Sequence, residues 1–100
     1  MFKNERYLTK GVSVEVESFL QFLLWDMIDE MEVEKKDYLQ IFNLKPIIVD
    51  GDMVQEIIHT QEQPPYKRRI VLNKLTEPIN AKIYVIDDGT HSTMLFPEER

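Results

Sequence analysis

A single helical stripe in an otherwise strand-like chain does most to limit the folds open to this sequence. Val16, Phe19, Leu20, Leu23, Leu24, Met27 and Met31 recur at spacings of three and four. That is the period of a helix with one apolar face. The stripe predicts a helix from about Glu15 to Met31 or Glu32. Glu15 and Glu17 then fall in its first turn, where the helix dipole favours carboxylates.

The rest of the chain reads as strands punctuated by turns. Tyr7 to Val12 is a short strand candidate before the helix. Tyr38 to Leu44 turns β-like, and Pro46 is expected to interrupt it, because proline removes a ladder donor. Ile47–Val49 and Met53–Ile58 flank Asp50-Gly51-Asp52 and look like two arms of a hairpin. Pro64-Pro65 ends the second arm. Tyr66 to Leu72 is the next strand, and Thr76-Glu77-Pro78 reads as a loop. Lys82–Asp87 and His91–Phe96 surround Asp88-Gly89, the clearest hairpin turn of the sequence. The expected fold class is α+β, with one amphipathic helix packed on a largely antiparallel sheet of about five strands. One hundred residues suit a single domain over 1–100.

Composition matters here for what it excludes. No cysteine is present, so a disulfide scaffold, a thiolate zinc site and a cysteine nucleophile are all ruled out. The formal net charge is −6, which argues against binding nucleic acid through phosphate neutralisation. The basic cluster Lys67-Arg68-Arg69 reads as a solvated edge strand, where such charges are common. The charged start and the short apolar run from Phe19 to Ile28 argue against a leader or a bilayer span. A cytoplasmic location follows as an expectation, and no cofactor is expected.

Three groups of residues stand out as candidate sites. With the stripe facing the sheet, Trp25 falls on the opposite side near Asp29, and Phe22 lies at the edge of that polar face. Exposed aromatics on a polar face mark partner surfaces, and tryptophan is a frequent anchor. Trp25, Phe22 and Asp29 are therefore the expected partner-binding residues, unless Phe2 or Tyr7 folds over them. The second group is the turn Asp87 to Thr93, where the catalytic reading has an aspartate orienting His91 as a general base. The third is His59 with Glu62. Were the sheet to bring them together, His59, His91 and either Asp87 or Glu62 would form a two-histidine, one-carboxylate metal site. The plainer readings, hairpin closure and cross-strand bonding, are preferred for both groups. No phosphate loop, nucleophile elbow or dinucleotide fingerprint is present.

Several segments carry a resemblance. They are Arg6 to Val12, Leu24 to Asp29, Asp37 to Phe42, His59 to Tyr66, Lys82 to Gly89 and His91 to Phe96. Together they resemble an uncharacterised family of small Gram-positive bacterial proteins, domain of unknown function 960. The resemblance implies a one-domain bacterial cytoplasmic protein and brings no activity, cofactor or site residue with it. Two expectations remain. The first is a non-enzymatic module that binds a protein partner or self-associates, for example as a homodimer. The alternative is a small hydrolase-like or metal-dependent enzyme using His59 and His91.

Overall fold

The computed structural model describes residues 1–73 and 77–100. The order of elements is β1 (Glu5–Leu8), α1 (Lys10–Glu15), α2 (Ser18–Asp29), β2 (Leu39–Val49), β3 (Asp52–Gln61), β4 (Tyr66–Leu72), β5 (Ala81–Asp87) and β6 (His91–Leu95). A 3-10 turn at Pro97–Glu99 follows. The strands form one sheet in the order β1-β6-β5-β2-β3-β4. All neighbours are antiparallel except β1, which runs parallel to β6. The expected α+β class holds, with two helices in place of one and a mixed six-stranded sheet in place of about five largely antiparallel strands.

The differences are local. The expected strand from Tyr7 to Val12 is split: β1 ends at Leu8, and the chain turns helical at Lys10. Thr9 caps that helix, its side chain accepting from the Val12 N–H. Val12 and Val14 alternate like strand residues, but only Val12 is buried. The expected long helix is also two pieces. Val16 and Glu17 are extended, and Glu17 stands at the N-cap of α2, with Glu15 closing α1.

Pro46 lies inside β2 and does not interrupt it. The hairpin places Val49 opposite Asp52, so odd residues of β2 bond to β3 and even residues face β5. The pairing of β2 with β5 ends at Leu44 opposite Ala81. Pro46 lacks its N–H on the side where no strand remains to receive it. The turn at Asp50 and Gly51 has φ of 50° and 84°. That is the left-handed pair that matches the twist of a two-residue hairpin. The expected loop at Thr76 to Pro78 begins outside the described residues.

The core lies between α2 and one face of the sheet. Leu20, Leu24, Met27 and Ile28 of α2 are buried with Phe42 and Leu44 of β2, Ile57 of β3, Ile83 and Val85 of β5, and Met94 of β6. Phe2 is fully buried in the same cluster, although its φ of 66° is in the left-handed region. Holding a bulky residue there costs about 1–2 kcal/mol, which burying a phenylalanine more than offsets at about 2–3 kcal/mol. Among the described residues, no helix is long and apolar enough to cross a membrane.

Candidate functional site

The N-terminal segment decides the surface of α2. Asp87 at the end of β5 accepts the Phe2 N–H at 2.7 Å and the Asn4 amide at 3.1 Å. Ser92 Oγ donates to Asn4 Oδ1 at 2.6 Å. Burial alone would raise the Asp87 pKa. The N–H groups of Phe2 and Gly89, the Asn4 amide and the N-terminal charge outweigh it and hold the carboxyl below its usual range. This clamp lays the next residues along the sheet edge. Arg6 donates to the Phe2 carbonyl, pairs with Asp29 and stacks its guanidinium 4.7 Å from the Trp25 ring.

Trp25 is therefore not the exposed anchor that the helical stripe suggests. Only 8% of its surface is exposed, because Arg6 covers it. The N-terminal segment supplies Arg6 over the ring, and Phe2 lies in the same buried cluster as Trp25. Asp29 is bound up in the pair with Arg6. Phe22 does stand free, with 69% of its surface exposed, and Phe19 one turn earlier is half exposed. Between α2 and β1 runs a shallow groove of about 360 Å³, lined by Arg6, Leu8, Gln21, Phe22, Trp25 and Asp26. A larger depression at the tip of the β2–β3 hairpin has walls that include Met53, Val71 and Asn73.

The two histidines lie apart. His59 points to the helix side of β3, stacked on Phe42 with ring centroids 4.3 Å apart. His91 points to the other face of β6, edge-on to Tyr7. Their strands are separated by β5 and β2, a span of about 14 Å at the usual strand spacing. One ion cannot reach both, since metal–nitrogen bonds are about 2 Å long. Asp87 is engaged by the N-terminal segment, and Glu62 is an exposed residue of the β3–β4 loop. Among the described residues, no three histidine or carboxylate side chains are grouped to hold a metal.

His91 sits in a closed turn. Asp88 Oδ1 accepts the N–H groups of Thr90 and His91 and the Thr90 hydroxyl, which holds its pKa down at about 2. Asp88 Oδ2 lies 3.3 Å from His91 Nε2. The carboxylate beside His91 is thus Asp88, while Asp87, the carboxylate of the metal reading, is taken up by the N-terminal segment. The basic cluster sits on β4, which is an edge strand, and Arg69 pairs with Glu56 at 2.7 Å.

One polar feature of the interior was not foreseen. Gln40 Nε2 donates to Gln61 Oε1 at 2.7 Å and to the Asp37 carbonyl at 2.8 Å. Both of its hydrogens are used, so Gln40 Oε1 accepts, and the His59 Nε2–H donates to it at 2.7 Å. Gln61 in turn donates to the carbonyls of Lys35 and Pro64 and accepts from the Asp37 N–H. His59 Nδ1 is buried with no hydrogen-bond partner among the described residues. Burial, and then the Arg68 charge, lower the His59 pKa from 6.5 to about 4. The residues alternate inward along β2 and β3, and that alternation was the one available signal. The network ties the α2–β2 and β3–β4 loops to the sheet, and the Lys35 and Pro64 carbonyls that Gln61 holds belong to residues lining an open depression between those loops.

Comparison with curated proteins gives no match. A solved structure, that of a protein of unknown function from Enterococcus faecalis, shares the fold with a TM-score of 0.74 and 25% identity. The match covers 97% of this chain and 91% of that one. The sequence profile of a family described as staphylococcal protein of unknown function, DUF960, matches residues 5–99. The likeness carried by the segments at Arg6, Leu24, His59 and Lys82 is thus a family relationship, and the chain belongs to the DUF960 family.

Proposed function

We propose that this protein is a non-enzymatic, cytoplasmic protein-binding module whose contact surface is centred on Phe22. The observation that carries the reading is the exposure of Phe22, at 69%, on the rim of the groove between α2 and β1. A phenylalanine there gives the helix no internal packing, and a small soluble domain gains nothing from leaving it in water. Trp25 forms the floor of the groove and not its anchor, and Asp29 acts by holding Arg6 over that floor. The partner is a protein, because the groove is too shallow to enclose most of a small molecule.

The test compares wild-type protein with Phe22→Asp as baits in lysate of the source cells. Each captured protein is then purified and titrated against both baits. A partner that binds the wild type saturably, and the variant at least about tenfold more weakly, supports the reading. Equal retention by both baits would remove Phe22 from the surface.

A further inference from the structure

We infer that the groove is the side-chain pocket of a strand-addition site. An extended apolar segment of another protein, carrying a lysine or arginine, pairs with the free edge of β1 and places an apolar side chain beside Phe22. This rests on the protein-binding reading above and gives it a chemistry.

The first support is the direction of the backbone groups of β1. The Thr9 N–H donates to the Met94 carbonyl on β6, and the parallel register pairs Tyr7 with Thr93. Successive residues of a strand turn their N–H and C=O groups to opposite sides. Glu5, Tyr7 and Thr9 therefore bond towards β6, and the backbone groups of Arg6 and Leu8 face outwards. β1 is the last strand of the sheet, and all four of its residues are exposed.

The second support is register. Arg6 and Leu8, whose backbones face the open edge, also send their side chains to the groove. A strand laid on that edge presents every second side chain on the groove side. Native edges are commonly guarded by a charged side chain. Arg6 does not serve as one here, because it is turned onto Trp25 and Asp29.

The third support is charge. Asp29 neutralises Arg6, while Asp26 on the groove wall has no ion-pair partner among the described residues. An arriving strand with a cation two residues from its inserted apolar side chain sets that cation on the same face, towards Asp26. The same argument disfavours a second copy of this chain. A copy would bring another Asp26 and another net charge of −6 to the contact.

The experiment is a titration of isotopically labelled protein followed by amide resonances. The probe is a short blocked peptide of threonines with valine, lysine and valine at alternate positions. The expected result is saturable shifts, with slowed exchange, at the Arg6 and Leu8 amides. Glutamate in place of lysine should weaken binding, and N-methylation of the edge-facing peptide nitrogens should weaken it at least about tenfold. Leu8→Pro should do the same, since proline is tolerated on an edge strand and removes an outward N–H, while Leu8→Ala, which shortens the groove side chain and keeps the N–H, should weaken binding less. Circular dichroism checks that the proline variant is folded.

Absence of shifts at millimolar peptide overturns the inference, as does binding indifferent to N-methylation and to Leu8→Pro. A dimer seen by light scattering and dispersed by Leu8→Pro would make the occupant a second copy, which also overturns it. A captured partner lost by Phe22→Asp but kept by Leu8→Pro overturns strand addition while leaving the protein-binding reading intact.

Discussion

His59 is a base that the fold keeps unprotonated. Its folded pKa of about 4 lies below the ordinary 6.5, so the unfolded chain binds the extra proton first. Stability from this group is full above pH 6.5 and is lost as the pH falls towards 4. By pH 5 the loss is about 2 kcal/mol. Asp87 and Glu99, whose pKa values are lowered, withdraw their contributions only at lower pH. Urea unfolding at pH 7 and pH 5 should therefore show the His59 share alone. His59→Phe should be less stable at pH 7 by about 1–3 kcal/mol, because Gln40 Oε1 loses its donor, but its stability should change little between the two pH values. An unchanged slope in the variant would place the titrating group elsewhere. Trp25 and Phe22 give a second contrast at this scale. Trp25→Glu buries a charge beneath Arg6 and should cost at least about 3 kcal/mol. Phe22→Asp should stay within about 1 kcal/mol of wild type in the same unfolding assay.

At the scale of elements, α1 is held by the other end of the chain. Glu99 accepts from the Thr9 hydroxyl and the Phe96 N–H, both at 2.8 Å, and these bonds lower its pKa. A Cβ added at Gly11 would meet Glu99 Oε2 at 2.7 Å. Gly11→Ala should therefore gain little or lose stability in the wild type. In a Glu99→Ala background the same change should stabilise by about 0.5–1 kcal/mol, the helix preference of alanine over glycine. Additive thermal shifts in the double-mutant cycle would deny the contact.

Long-range contacts of this kind explain what the sequence withheld. Tyr66–Leu72 and the β5–β6 hairpin were readable because Pro64-Pro65 and Asp88-Gly89 bound them locally. The phase of α2 was not, because apolar residues fill all but Gln21 and Asp26 between Phe19 and Ile28. A stripe so broad fits several rotations of the helix, and the one adopted buries Trp25 in the core cluster with Arg6 over its ring. Of the expected site, Phe22 was legible as an aromatic at the edge of the polar face. The edge strand beside it was not, since its pairing partner lies 86 residues along the chain.

At the scale of the whole molecule, the sheet is closed on its β6 side by the segment that comes first. Asp87 and Ser92 fix the turn between the buried Phe2 and β1. Asp87→Ala should free Phe2 from the core and lower stability by about 3 kcal/mol, the burial of a phenylalanine plus lost bonds to a charged group. Amide exchange in β1 should rise with it, while the β2–β3 hairpin keeps its protection. Exchange that rises equally throughout the sheet would mean that the clamp acts on global stability alone.

The parallel pairing of β1 with β6 also gives the protein a mechanical character. If Met1 and Arg100 are pulled apart, the tension enters β1 at Glu5 and leaves β6 at Leu95. The two strands are drawn along their length in opposite senses. The bonds between them are loaded in shear and must give way together, whereas tension across the mouth of a hairpin would open its rungs one by one. The domain is thus built to resist extension from its ends.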